Sequence, residues 1–272
     1  MRTRTKGWAP LALAAFAIAT SWVAVSGAQG QRGAGAQPPP PIRVRIQMAQ
    51  VKPDMVDTYQ DIIKNDIIPA LKKVGQPAWR WTFTSGIVGQ GFTFAAVTPV
   101  TNYAEFDQQG QFQQVIGPAQ AAAIGAKFRQ TVVSTQSYID TMRQDLSIVS
   151  NSPTPPSLVV IQTLQIAPGK GQEFTKVITD DWLPLYKKVG WKDVWYYTRT
   201  FGGPPAVSQI RLISKYAELD EPALLQKAGL TQEQIQALLA RRNAVASVVG
   251  SEILRYVPEL SFGMPAPPKA TP

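Results

Sequence analysis

Cysteine and histidine are both absent from this chain. Without cysteine there is no disulfide, no thiolate metal site and no cysteine nucleophile. Without histidine, Ser-His-Asp catalysis, His-based zinc or iron sites and the usual axial ligand of haem are excluded. Runs of like charge are missing too: the Lys and Arg residues behind the net charge of +9 are scattered, with no basic stripe interleaved with aromatics, so nucleic acid is not an expected partner. No phosphate loop, acidic metal cluster or dinucleotide fingerprint occurs; the glycines from Gly86 to Gly91 and in Gly169-Lys170-Gly171 lack the required spacing. No metal and no cofactor are therefore expected.

Only one long apolar run is present, from about Leu11 to Val25, preceded by Arg2, Arg4 and Lys6 and followed by Ser26-Gly27-Ala28. That layout reads as a secretory signal segment over residues 1–28, with cleavage after Ala28 and a secreted or periplasmic product. Its apolar core is shorter than the roughly 20 residues of a spanning helix, so no stable membrane span is expected after cleavage; an uncleaved anchor is the competing reading. Cleavage would remove three charges from the +9 and leave +6. Residues 29–41, rich in Gly, Ala and Gln and ending in four prolines, read as a linker. Similar material over 149–156 and 262–272 separates two modules, 42–148 and 157–261, and forms a terminal tail.

Those modules are copies of each other. Asp66-Ile67-Ile68-Pro69-Ala70-Leu71-Lys72-Lys73-Val74-Gly75 returns 115 positions later as Asp181-Trp182-Leu183-Pro184-Leu185-Tyr186-Lys187-Lys188-Val189-Gly190. Ile46-Gln47 matches Ile161-Gln162 at the same offset. After a two-residue loss the offset becomes 113, as Tyr103-Ala104-Glu105 and Tyr216-Ala217-Glu218 show, and Asp145-Leu146-Ser147 answers Glu259-Leu260-Ser261.

In each copy the periodicity predicts strand, helix, strand, strand, helices, strand. Val44, Ile46 and Met48 alternate with Arg43, Arg45 and Gln47 in a strand over 42–51. A helix starts at Pro53-Asp54 and stops at Gly75, with a kink expected at Pro69. Strands at 78–84 and 92–97 form a hairpin, a short helix covers 103–109, a longer one runs from 119 to about 135, and a closing strand occupies 137–147. The second copy places strands at 158–166, 194–200 and 207–213, helices at 170–189, 217–227 and 232–249, and a final strand towards Leu260.

This order defines an α+β chain of two tandem ferredoxin-like modules, whose sheets gain cover by packing face to face as an intramolecular pseudo-dimeric α/β barrel. On that element order and the Pro-x-x-Lys-Lys-Val-Gly helix end, residues 42–261 resemble the dimeric α/β-barrel superfamily, which includes antibiotic-biosynthesis monooxygenase-like, EthD-like and NIPSNAP-like domains. The resemblance implies an interior cavity; its cofactor-free oxygenases, haem enzymes and proteins of unknown role do not share one reaction. The haem branches rely on a proximal His, which this chain lacks.

If Val44, Ile46 and Met48 face the helices, then the polar residues of the strands face the space between the sheets. The ligand-binding candidates on that assumption are Arg45, Gln47, Arg80, Gln162, Trp195, Tyr197, Arg199, Gln209 and Arg211, a set suited to an aromatic or anionic small molecule. The competing reading is a network that satisfies itself and fills the barrel. Trp191, Trp195, Tyr196 and Tyr197 could stack on a planar substrate or simply pack. Asp66 and Asp181, next to the kinking prolines, read as structural, as do the Lys pairs in the last helical turn. The expected function is the binding or modification of a small organic molecule between two sheets without metal or haem, by a monomeric pseudo-dimer or a homodimer. The alternatives are a structural or protein-interacting envelope component with a filled barrel, and a cofactor-free monooxygenase.

Overall fold

The computed structural model describes residues 40–75, 79–85, 88–107, 110–150 and 156–263. The expected signal segment, nearly all of the first linker, 151–155 and the tail from 264 lie outside the described residues. From Pro40 onwards the two modules form one compact unit.

The first module contains β1 (Arg43–Val51), α1 (Val56–Asp61), α2 (Ile68–Val74), β2 (Trp81–Ser85), β3 (Thr93–Val100), α3 (Gln111–Ile116), α4 (Pro118–Thr131) and β4 (Val132–Met142). The second contains β5 (Leu158–Ile166), α5 (Gly171–Lys176), α6 (Leu183–Lys188), β6 (Val194–Phe201), β7 (Val207–Ile213), α7 (Leu224–Lys227), α8 (Gln232–Asn243) and β8 (Ala246–Tyr256). All strand pairs are antiparallel, and they close into a barrel in the order β1-β3-β2-β8-β5-β7-β6-β4. Each half is the split ferredoxin-like sheet; the halves join at β2–β8 and β4–β6, which leaves no free sheet edge.

The expected kink at Pro69 takes a specific form in both copies. α1 runs into α2 through a π-helical turn, Ile62–Ile67, and α5 into α6 through another, Val177–Trp182, each ending just before its proline. Widening the turn accommodates a residue that has no N–H to donate and whose ring crowds the preceding turn. Asp66 pairs with Lys127 of α4 at 3.8 Å, and its counterpart Asp181 pairs with Arg241 of α8, so each aspartate ties the widened turn to its module's long helix.

The repeated Leu-Ser tripeptides are reciprocal clamps. After β4 the chain crosses to the second module, where Leu146, fully buried, enters the core of Phe174, Ile178, Tyr186 and Tyr196, and Ser147 Oγ accepts the Tyr196 N–H at 2.9 Å. After β8 the chain crosses back: Leu260, 1% exposed, enters the core of Tyr59, Ile63 and Phe94, and Ser261 Oγ accepts the Thr82 N–H at 2.9 Å. Each module thus completes its partner's core.

Two junctions differ from the sequence expectation in the same way. α4 stops at Thr131 and β4 begins at Val132, earlier than the expected helix end near 135; α8 stops at Asn243 and β8 begins at Ala246, where helix was expected to 249. Val132-Val133-Ser134-Thr135 and Ala246-Ser247-Val248-Val249 are rich in β-branched residues, which favour strand once a neighbouring edge is available.

Candidate functional site

The strands show which way each candidate side chain points. Ala49 and Val51 of β1 pack with Tyr59, Ile63 and Ile68 under the first module's helices, whereas Val44, Ile46 and Met48 pack with Trp79, Val97, Trp195 and Ile210 inside the barrel. The expectation that Val44, Ile46 and Met48 face the helices is therefore reversed. In a closed barrel both faces of the sheet are covered, so apolar alternation does not reveal which face meets the helices. The nine candidates divide into three groups. Arg45, Gln47 and Arg80 lie on the helix side of the first module; Gln162, Gln209 and Arg211 lie on the helix side of the second; only Trp195, Tyr197 and Arg199 point into the barrel.

The barrel interior is mostly apolar and aromatic. Trp79, Trp81, Phe83, Trp195, Tyr197 and Tyr256 pack there with Met48, Met142, Ile161, Ile210 and Leu254. At the β4–β6 seam it contains one ionic group: Asp140, 1% exposed, accepts from Arg199 Nε at 3.3 Å, and the Arg199 guanidinium lies 3.6 Å from the centre of the Tyr138 ring. Burial pushes the Asp140 carboxyl above its ordinary range although Arg199 opposes the shift; burial, reinforced by Asp140, raises the Tyr197 phenol. At the other seam Leu254 takes the place of Asp140 and Ser85, across from it, the place of Arg199, so the ion pair is not repeated there. Gly202, at φ +95°, presses against this polar seam so closely that a Cβ would meet the Ser137 carbonyl oxygen at 2.1 Å.

On the outer face of the second module, between sheet and helices, aromatic and polar groups are layered. The Arg211 guanidinium lies 4.2 Å from the centre of the Trp191 ring, and Trp191 stacks on Tyr186 with centroids 5.3 Å apart and planes 9° off parallel. Beneath them the hydroxyls of Tyr186 and Tyr196 share a 2.9 Å hydrogen bond, and Gln209 Nε2 donates to the Tyr186 oxygen at 2.9 Å. Gln162 stands directly across from Gln209, and Gln209 from Tyr196, in one row. Burial pushes the Tyr186 phenol up to about 12 and Tyr196 well above its ordinary value, so both stay neutral donors at physiological pH. Above this layer Trp191 and Arg211 form one wall of a cleft of about 270 Å³, completed by Glu218, Leu219, Glu221, Pro222, Leu224 and Lys227. Burial lowers the Arg211 pKa while Glu218 and Glu221 support its charge; Lys227 bonds Glu221 and holds that carboxyl below its usual range.

In the first module the corresponding layer carries more positive charge. Arg45 stands across from Thr98, and Arg80, one residue before the Trp81–Val97 pair, comes level with Thr98 from the other side. The Arg45 guanidinium lies 5.8 Å from the Phe106 ring. Burial lowers the pKa of Arg80, with Tyr59 supporting its charge and Arg45 opposing it; burial also takes the Tyr59 phenol to about 12.

Arg211, Gln209, Gln162 and Trp191 were among the residues singled out from sequence, although the first three were expected between the sheets; Tyr186, Asp140, Tyr138, Thr98 and the acidic rim of the cleft were not. Tyr186 occupies the repeated helix-end segment, where its counterpart Leu71 carries no such signal, and Asp140 is a lone acid in a strand of Ser and Thr.

No protein-family model and no curated protein matches the chain. Solved structures do match its fold. An anthrone oxidase-like protein matches with a TM-score of 0.52 at 11% identity, over 80% of this chain and 91% of that one. An encapsulated DyP-type peroxidase from Mycobacterium smegmatis matches at 0.45 and 9%, over 80% and 93%. A haem-binding protein from Thermus thermophilus matches at 0.43 and 9%, over 80% and 92%. The chain has the dimeric α/β-barrel fold, with both ferredoxin-like halves and the whole eight-stranded barrel in one polypeptide.

Haem does not fit the residues of the second module's sheet–helix layer. An axial ligand would have to be tyrosinate or methionine, since the chain has no His or Cys. In the second module's sheet–helix layer the two tyrosines bond each other, are kept protonated by burial, and have no methionine among their core neighbours. Among the described residues no group of three or more His, Cys, Asp or Glu could hold a metal ion, and no helix is long and apolar enough to cross a membrane.

Proposed function

We propose that this protein is secreted or periplasmic and binds a small planar organic molecule carrying a polar or anionic group, without metal or haem, in the cleft between the second module's sheet and its helices. The observation that carries this reading is the Arg211 guanidinium over Trp191, itself stacked on Tyr186, on the wall of a cleft of about 270 Å³. A stacked guanidinium keeps its edge donors free to bind a carboxylate or phenolate, while the neighbouring apolar residues Leu219, Pro222 and Leu224 suit a ring. The volume lies just under the roughly 300–1,000 Å³ of drug-sized sites, which matches one or two rings. The place differs from the space between sheets expected from sequence, because the strand faces are reversed.

Isothermal titration with salicylate, 2-naphthoate and 2-naphthol tests the reading. Binding to the wild type should weaken at least tenfold in Arg211→Gln. No binding by any of the three, or equal binding by the variant, would count against it. A second reading is supported by the packing of Trp81, Phe83, Val159 and Leu254 on one another: the barrel itself acts as structural filling. It gains ground if the titrations stay flat. Export is tested by N-terminal sequencing of protein recovered outside the cytoplasm, where a start at Gln29 is expected.

A further inference from the structure

The first module buries cationic charge that no ion pair among the described residues balances. Arg80 is 6% exposed and its Nε–H has no hydrogen-bond partner. Thr98, level with it on β3, is 7% exposed and its hydroxyl is also unpartnered. On the far side of Thr98 comes Arg45, half-buried, so a guanidinium from the residue just before β2, a hydroxyl on β3 and a guanidinium on β1 follow one another on one face. Adjacent antiparallel strands lie about 4.8 Å apart, so the two arginine backbones are roughly 10 Å from each other. Long side chains from both ends can meet over the threonine.

A guanidinium keeps its charge at any pH at which proteins fold, so the chain cannot relieve this burial by deprotonation. Buried charges are ordinarily paired. Here no carboxylate of the described residues comes within 4.0 Å of Arg80 or Arg45. Glu105 is the one acid that supports the charge of Arg45, and it does so without an ion pair within 4.0 Å. Tyr59, beside Arg80, is held protonated. Ordered water could take the free N–H and O–H bonds, but it would leave the charge unbalanced.

The second module shows what the same position looks like when its charge is met internally. Thr98 corresponds to Arg211 there, and the places of Arg45 and Arg80 are taken by Val160 and Val194. One guanidinium then sits near two carboxylates, Glu218 and Glu221. The first module has two guanidiniums and one acid. The first copy therefore differs from the second by an excess of positive charge in a covered space.

We infer that the row Arg80, Thr98 and Arg45 is a binding site for a small oxyanion, a carboxylate or an inorganic phosphate or sulfate, whose oxygens take the Arg80 Nε–H and the Thr98 hydroxyl and whose charge balances both guanidiniums. This site is on the other module from the cleft proposed above, and its occupancy does not depend on that cleft.

The test is thermal unfolding of the purified protein in Tris–chloride at fixed ionic strength, with chloride replaced stepwise by acetate, sulfate or phosphate. The midpoint of the wild type should rise by roughly 5–10 °C at a hundredfold excess of anion over its Kd. Arg80→Met, which keeps the volume and removes the buried charge, should not respond and should not be less stable than the wild type in chloride. Arg45→Gln, at a half-buried position where folding is not at risk, should show a reduced response. A rise with acetate alone assigns an organic carboxylate; a rise with sulfate or phosphate assigns the inorganic ions. The inference is overturned if the midpoints of wild type, Arg80→Met and Arg45→Gln move together with all three anions.

Discussion

Replacing Arg199 by leucine leaves the Asp140 carboxylate alone inside the barrel, and the structure sets the size of the penalty. Asp140 is 1% exposed and Arg199, at 15%, is its ion-pair partner, 3.3 Å away. Removing one partner of a buried pair typically costs about 3–5 kcal/mol, because the remaining charge is uncompensated. The partial exposure of Arg199 places this case near the lower end, about 3 kcal/mol. Loss of its contact with the Tyr138 ring adds roughly 0.5–1 kcal/mol that does not depend on pH. For a unit of this size the midpoint should fall by roughly 6–12 °C at pH 7. Burial already sets the folded-state pKa of Asp140 above its usual 3.8. The stability linked to its protonation is thus fully present below about pH 3.8 and is lost as pH rises through the folded value. Without Arg199 the folded value rises further, so the deficit of Arg199→Leu should shrink on acidification at a pH where the wild type gains little. The Asp140→Leu, Arg199→Leu double variant should recover to within about 1 kcal/mol of the wild type. Urea unfolding at pH 7, 6, 5 and 4 measures all three proteins. A deficit below about 1 kcal/mol at pH 7, or one of equal size at every pH, would refute the reasoning.

Other outcomes follow from the same geometry. Leu146→Ala and Leu260→Ala should each cost about 2–5 kcal/mol in urea unfolding, since each empties a fully buried position in the opposite module's core. Gly202→Ala should lose more stability than Gly190→Ala: both have positive φ, but only at Gly202 does the added carbon meet backbone, at 2.1 Å. Tyr186→Phe should cost about 1–3 kcal/mol by leaving Gln209 and Tyr196 without their shared partner. Arg241→Gln should change stability by less than about 1 kcal/mol, because the arginine of that ion pair is 59% exposed.

Much of the architecture was legible in the sequence because the chain states it twice. The repeated Pro-x-x-Lys-Lys-Val-Gly segment fixes the offset, and Gly75 and Gly190 end their helices in left-handed turns, at φ 74° and 76°. The repeated Leu-Ser tripeptides were visible as a match, but only the closed barrel shows that they exchange between modules. The sides of the strands were not legible: Val44, Ile46 and Met48 make a clean apolar face, and nothing in an alternating pattern says whether that face meets helices or a second sheet. That pattern puts Arg45 and Gln47 inside the barrel, although their side of β1 faces the first module's helices and Arg45 lies against Phe106. The buried Asp140–Arg199 pair was half visible, because Arg199 lies among aromatics while Asp140 lies among hydroxyl residues far away in sequence.

The proposed ligand lies on the outer face of the second module's sheet and not inside the barrel, and two tryptophans distinguish these places. Trp191 stacks with Arg211 at the cleft, and Trp195 packs in the barrel interior. Titration with 2-naphthoate, followed by tryptophan fluorescence in Trp191→Leu and Trp195→Leu, is the most direct measurement. The ligand response should be lost in Trp191→Leu and kept in Trp195→Leu; loss in Trp195→Leu with full retention in Trp191→Leu would place the ligand inside the barrel instead.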